Sequence, residues 1–305
     1  MAEITAAKVK ELREKTGAGM MDAKKALVEN NGDMDAAVDW LRTKGLAKAA
    51  KKSGRTAAEG LVAIAIDGTQ GAVVEINSET DFVARNEEFQ KFVTSVAGAA
   101  QGVQSAEELA ERDLGGKTVA ETLTDLIATI GENMTLRRAQ SISVDKGAVV
   151  GYVHGALGDG FGKIGVLIGL ESDAPADALQ AVGKQIAMHV AAANPQFLDQ
   201  NSVDPEVAER EKTVLIEQAK AEGKPQEIAE KMVQGRMQKF FKEICLTEQI
   251  FVIDGETKVA DVITNAAKEA GSDIKLTGFV RLELGDGIEK EEEDFAAEVA
   301  KAANG

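Results

Sequence analysis

Apolar residues recur at two different periods along this chain, and the changes of period divide it. Through residue 55 the spacing is helical. Val9 and Leu12 mark a first helix. Met20, Ala23 and Leu27 fall at i, i+3, i+7 on a second, and Met34, Ala37, Val38 and Leu41 at i, i+3, i+4, i+7 on a third. Gly17-Ala18-Gly19 breaks the first helix, and Asn30-Asn31-Gly32-Asp33 is a turn ending in a capping aspartate. So small a bundle buries little surface, which fits a docking domain, and Ala47 to Arg55, with Lys48, Lys51, Lys52 and Gly54, reads as its linker.

From Gly60 the apolar runs become strand-like. Leu61 to Ile66, a turn at Asp67-Gly68-Thr69-Gln70-Gly71, and Ala72 to Ile76 predict a β-hairpin. Phe89, Phe92, Val93 and Val96 share a face of the helix that follows. Ser105 to Glu108 is a capping box, and another helix is expected over Val119 to Ile130. The unit then recurs. Val149 to Gly155 is a strand, Gly158 to Gly165 a glycine-rich turn, and Val166 to Asp173 a returning strand. Leu179, Val182, Ile186 and Val190 line the next helix. A duplicated ββα unit accounts for both halves. Residues 205–243 interrupt the second copy with two helices about Gly223-Lys224-Pro225. Val207, Val214 and the neighbouring Leu215 lie near one face of the first, and Ile228, Met232 and Gly235 on one face of the second. Such a helical hairpin cannot hide both faces unaided and should protrude. Phe251-Val252-Ile253 and Gly278 to Leu284 read as further strands. An acidic run, Glu289 to Asp294, leads into a last helix with Phe295 and Val299.

Charge narrows the function classes. The net charge is −16, yet residues 1–55 carry 12 basic and 8 acidic side chains, so the remainder is strongly acidic. An acidic body argues against nucleic acid, which needs a basic stripe, and favours protein partners. One cysteine, Cys245, allows no internal disulfide. No apolar run approaches the roughly 20 residues of a membrane span, and Met1-Ala2-Glu3-Ile4 lacks the pattern of a secretion signal. The expectation is a cytoplasmic protein away from membranes.

Covalent chemistry finds little support. Gly160-Phe161-Gly162-Lys163-Ile164-Gly165 matches the dinucleotide pattern GxGxxG, but it leads into a strand, where the fingerprint needs a helix. Two histidines, His154 and His189, with one cysteine do not make a typical zinc site, and His189 suits a satisfied core position. No cofactor is expected. The segment that stands out is Thr80-Asp81-Phe82-Val83-Ala84-Arg85-Asn86, polar residues leading to an acid and an aromatic between strand and helix. It admits two readings. Thr80 or Asp81 caps the helix while Phe82, seven residues before Phe89, packs inside. Alternatively, Phe82 is exposed as a wedge beside a carboxylate.

This motif resembles the signature of the elongation factor Ts family. The similarity extends over nearly the whole chain: Thr5 to Lys25, Thr80 to Ala84, Ile130-Gly131-Glu132-Asn133, His154-Gly155, Ile186 to Ala192, Gly223 to Met232 and Phe295 to Ala300, in that order. The turn Leu157 to Lys163 looks longer than in some relatives. The resemblance implies an α+β fold. It would comprise an N-terminal three-helix ubiquitin-associated-like domain and linker (1–55) and two related antiparallel-sheet-plus-helices core subdomains (56–142 and 143–285). The helical hairpin (205–243) would be inserted in the second, with a C-terminal helix module (286–305) after it. It further implies a guanine nucleotide exchange factor, without covalent chemistry, whose partner is the GTPase elongation factor Tu. Thr80, Asp81, Phe82 and Val83 would form the exchange motif, flanked by Ile130 and Gly131. His154 would face another domain of the partner, and Arg13, Met20, Met21 and Lys24 would dock the N-terminal domain. Core packing is the alternative for the two methionines. The hairpin is a candidate for self-association. Rival readings are an adaptor without exchange activity and an enzyme with an unrecognised site.

Overall fold

In the computed structural model, residues 4–16, 18–223 and 226–289 are described. Three helices come first: α1 (Ala6–Thr16), α2 (Met20–Glu29) and α3 (Met34–Lys52). Val9, Leu12, Ala23, Ala26, Leu27 and Ala37 form their own small core, and Met34, Val38, Trp40 and Leu41 close over it. Asp33 caps α3, its carboxylate accepting from the Ala36 amide at 2.9 Å. Two expectations fail here. Met20 opens α2 on the solvent side, so the second helix buries Ala23 and Leu27 without it. The linker is also mostly helix. Ala47 to Lys52 continues α3, as its alanines and lysines favour.

The first core unit comprises β1 (Glu59–Asp67), β2 (Gln70–Ser78), α4 (Glu87–Ala99), α5 (Ala106–Ala110), α6 (Val119–Ile130) and β3 (Met134–Ser143). The second comprises β4 (Gly147–His154), β5 (Phe161–Gly162), β6 (Ile164–Ser172), α7 (Ala176–Ala193), α8 (Pro205–Ala221), α9 (Gln226–Ile244), α10 (Val259–Ala270) and β7 (Ile274–Glu283). Two antiparallel sheets result, with orders β3-β2-β1-β5 and β4-β6-β7. This is the α+β architecture the sequence predicts.

The duplication extends to backbone irregularities. Register slips between Glu75 and Ile76 of β2 against β3, and between Gly169 and Leu170 of β6 against β7. Arg137 and Thr277 are the extra residues of the two bulges. Gly60 and Gly147, the residues opposite the far ends of the central strands, both have positive φ, +119° and +115°. A Cβ there would lie 2.2 Å from the Ile76 carbonyl oxygen and 2.1 Å from that of Leu170, respectively, so neither site admits a side chain.

Helices cover the outer faces. Phe89, Phe92, Val93 and Val96 of α4, with Val119 and Ile127 of α6, pack on the first sheet. Leu179, Val182, Ile186 and Val190 of α7, with Val259 and Ile263 of α10, pack on the second. The inner faces meet through Val62, Val73, Val144, Val149, Leu167 and Leu282. Gly165 makes that approach close, since a Cβ on it would stand 2.8 Å from Val62 Cγ1.

Four details depart from the sequence reading. β3 was not anticipated. The glycine-rich turn is not free: Phe161 and Gly162 pair with Ala63 and Val62 at the edge of the first sheet, and Phe161 is buried in the first core. Phe251-Val252-Ile253 is not a strand, because the Phe251 amide donates to Thr257 O and its carbonyl accepts from Gly255 N, closing a turn. In the hairpin, the inward residues are Leu215, Ile216, Ala219, Ala229, Val233 and Met237, whereas Ile228 and Val214 face outward. The two hairpin helices have 17 and 19 residues, about 25–29 Å each. Their base is zipped: Gln196 and Phe197 amides donate to Ile244 O, and the Leu246 amide donates to Phe197 O. The Lys224-Pro225 turn and the expected terminal helix with Phe295 and Val299 lie outside the described residues.

Between the two sheets' ends sits Glu75, fully buried. Its carboxylate takes the Arg137 guanidinium at 3.1 Å, the Arg138 Nε, the Asn77 amide at 3.0 Å and the Gly285 backbone N–H at 2.8 Å. Arg137 and Arg138 also donate to the carbonyls of Asp286 and Glu283, each at 2.5 Å. One carboxylate thus joins β2 and β3 of the first unit to the end of β7 in the second. Truncating such a group leaves Arg137 without its carboxylate and Arg138 with only the exposed Asp286 at 3.8 Å, which costs about 3–5 kcal/mol. Glu75→Ala is therefore expected to lower the unfolding free energy by about that much, read from the urea midpoint at unchanged m-value; a loss under about 1 kcal/mol would show the hub to be dispensable.

Candidate partner-docking site

The chain leaves β2 at Ser78 and must turn before α4. Asn86 caps α4, its side chain accepting from the amides of Glu88 and Phe89 at 2.9 and 3.1 Å. Neither Thr80 nor Asp81 is that cap. Asn86 is extended (φ −74°, ψ 126°), so a short 3₁₀ turn, Val83–Arg85, precedes it and breaks the helical phase. Val83 and Ala84 then point into the first core, and Gln90 pins the turn by donating to the Ala84 carbonyl at 2.8 Å. Phe82 consequently faces outward, 77% exposed, while Phe89 is fully buried. The interior reading of Phe82 is excluded. Asp81 beside it is exposed as well.

The back of this loop is anchored. Thr80 donates from both its amide (2.9 Å) and its hydroxyl (2.7 Å) to the Glu132 carboxylate. Ser78 Oγ donates to Thr80 O at 2.9 Å. Glu79 accepts from the Asn133 amide and pairs with Arg55 at 3.3 Å, and Asn133 Nδ2 donates to Arg55 O at 2.7 Å. Gly131 ends α6 in the left-handed conformation (φ +90°), and its carbonyl accepts from Lys52 Nζ at the end of α3. The structure therefore brings Thr80, Asp81, Phe82 and Val83 together with Ile130 and Gly131. Hydrogen bonds to a charged carboxylate contribute about 1.5–3 kcal/mol each, enough to fix a loop.

The remaining candidates sit apart. Met20, Met21 and Lys24 share an exposed face of α2, at 60% and 77% exposure for the methionines, so core packing is excluded for both. Arg13 is exposed on α1. His154 ends β4 in solvent, its Nδ1 3.2 Å from the Tyr152 hydroxyl. The sequence reading missed one surface. Ile250, Val252 and Ile253 are each about half exposed around the buried Phe251. Phe251-Val252-Ile253 suggests a strand in the sequence, and only the turn's hydrogen bonds reveal that Val252 and Ile253 point outward beside Ile250.

His189 is a satisfied interior residue. Nε2 donates to Gln249 Oε1 at 2.8 Å and Nδ1 accepts from the Val252 amide at 3.2 Å. Burial lowers its pKa below 6.5, and the Gln249 bond only partly opposes this. The Cys245 thiol is buried and pushed up to about 11 by burial, then by Glu248 and Asp199, which keeps it protonated. Among the described residues no group of three or more His, Cys, Asp or Glu is placed to hold a metal ion, and no helix is long and apolar enough to cross a membrane.

Residues 79–286 match the family model described as Elongation factor TS. Relatives named elongation factor Ts include those of Rhizorhabdus wittichii (62% identity, all of both chains), Paramagnetospirillum magneticum (60%, covering 99% of this chain and 98% of the relative) and a Ruegeria species (62%, 99% of each).

Two outcomes are expected from this geometry. Phe82→Ala removes a ring already in water, so the unfolding midpoint should move by less than about 0.5 kcal/mol; a loss near the 3–5 kcal/mol of a core phenylalanine would place the ring inside. Because His189 has a lowered pKa, the unfolded chain protonates first as pH falls. Its contribution is complete above pH 6.5 and lost progressively below it. Urea titrations between pH 7.5 and 5.5 should show that decline, flattened in His189→Gln; equal slopes in both proteins would contradict a neutral buried imidazole.

Proposed function

Because the chain belongs to the elongation factor Ts family, we propose that it is a guanine nucleotide exchange factor of cytoplasmic translation. It binds elongation factor Tu with GDP bound, opens the magnesium and phosphate site and lets GTP replace GDP. The observation that carries this reading is Phe82, 77% exposed beside Asp81 on a loop anchored from behind. The ring buries little in its own fold and is presented, beside a carboxylate, for insertion into a pocket of a partner.

A GTPase holds GDP through magnesium and backbone N–H groups around the phosphates. An exchange factor need not touch the nucleotide. It must bind the vacant GTPase more tightly than the loaded one, and linkage then makes nucleotide weaken the factor's grip by the same ratio. Inserting Phe82 displaces elements that support the metal's water shell, and Asp81 competes for polar groups that hold it. Each 1.36 kcal/mol removed from the release barrier raises the rate about tenfold. The factor accelerates both directions, and an excess of GTP sets the outcome. No covalent step is involved.

The other candidates supply affinity in this reading. Ile130 and Gly131 flank the wedge. Arg13, Met20, Met21 and Lys24 offer a cation-rimmed apolar face for the GTPase domain, and His154 faces a further domain. The exposed Ile250, Val252 and Ile253 offer a second apolar face. The helical hairpin, with Ile228 and Val214 outward, is the segment through which two copies would associate.

Stopped-flow release of a fluorescent GDP from elongation factor Tu tests the reading. Phe82→Ala is expected to slow catalysed release at least about tenfold with a modest loss of binding; an unchanged catalysed rate would reject the wedge.

A further inference from the structure

The 79–86 loop is gripped by two carboxylates with different reach. Glu132, just beyond α6, accepts both donors of Thr80, at 2.9 and 2.7 Å. Glu79, inside the loop, is held by the Asn133 amide and by Arg55. Arg55 follows α3, and its carbonyl is itself held by Asn133 Nδ2 at 2.7 Å. Two separate stretches of chain, at Arg55 and at Glu132-Asn133, therefore converge on the two residues that precede Asp81 and Phe82. Both grips are made to Glu79 and Thr80. On its other flank the loop is fixed by Val83 and Ala84 in the core.

An exposed ring on a free loop would sample many directions, and that freedom would have to be given up on docking. A ring held at one angle loses little on docking and can transmit force when it meets the partner. Glu132 is the group that sets this angle, because a carboxylate alone can accept from two donors of one residue with both oxygens.

We propose that Glu132 is a positioning residue for nucleotide exchange. Through Thr80 it fixes the direction in which Asp81 and Phe82 leave the core, while Glu79 and Arg55 tie the same loop to the end of the N-terminal bundle. The proposal rests on the exchange reading of Phe82 and assigns Glu132 no contact with the partner.

The test measures GDP release from elongation factor Tu over a range of factor concentrations, for the wild type, Glu132→Ala, Phe82→Ala and the double variant. Glu132→Ala is expected to lower the saturated rate about tenfold while shifting half-saturation less than about threefold. Glu132→Gln keeps one accepting oxygen and should fall between. In the Phe82→Ala background, Glu132→Ala should cost clearly less than its roughly tenfold effect in the wild type, since only Asp81 is left to aim. Circular dichroism melting verifies that each variant is folded, and Glu132→Gln carries the test if Glu132→Ala is not. A wild-type saturated rate in both Glu132 variants, or losses that multiply in the double variant, would overturn the proposal. A wild-type rate in Phe82→Ala would instead sink the exchange reading beneath it.

Discussion

Glu75 sets the frame for this molecule. A carboxylate taken fully out of water must be surrounded by donors, and its donors come from both core units: Arg137 and Arg138 of β3, Asn77 of β2 and the backbone of Gly285 after β7. Arg137 can reach inward because it is the extra residue of the β3 bulge. The two sheets share an apolar inner face, but apolar contact alone is non-directional and permits sliding. The charged hub fixes where the second sheet ends relative to the first. The same two strands carry the functional elements at their ends, β2 running into the 79–86 loop and β3 following the 130–133 turn.

The proposed wedge depends on that frame. Thr80 and Glu132 can meet only if the exit of β2 and the entry of β3 are held side by side, which the β2–β3 ladder does from Ser78 paired with Met134 onward. The N-terminal bundle joins through the end of α3, where Lys52 and, just beyond the helix, Arg55 reach the same two turns. Rigid backing and an exposed tip are complementary requirements: a ring in water gains nothing for its own fold, so its direction must be enforced by polar contacts behind it.

Much of the architecture was legible in the sequence, because helix and strand periods are local. The two hairpins, α4, α6 and α7 follow from apolar spacing, and the duplication follows from comparing the two halves. What escaped depends on contacts distant in sequence. β3 hides because Arg137 and Arg138 interrupt its alternation, and their partner, Glu75, lies some sixty residues earlier. On α9 the sequence sets Ile228, Met232 and Gly235 on one face, whereas Ala229, Val233 and Met237 pack against α8, because an outward isoleucine weighs as much in a periodicity count as an inward one. Phe82 was ambiguous because counting seven residues to Phe89 assumes continuous helix, and the extended Asn86 resets the phase. For the site, residue types alone favour the core reading of Phe82 over the wedge, and it is the resemblance to a family that reverses the preference.

The zipped base of the helical hairpin has a consequence of its own. Backbone bonds between Gln196-Phe197 and Ile244-Leu246 bring the chain back almost to where it departed, so α8 and α9 form a closed excursion from an otherwise continuous unit. Closing a loop costs little more when the loop is longer, since the entropy grows only with the logarithm of its length. The arm can therefore be extended, trimmed or exchanged in evolution without asking the core to compensate, and the reach of this molecule can drift independently of its grip.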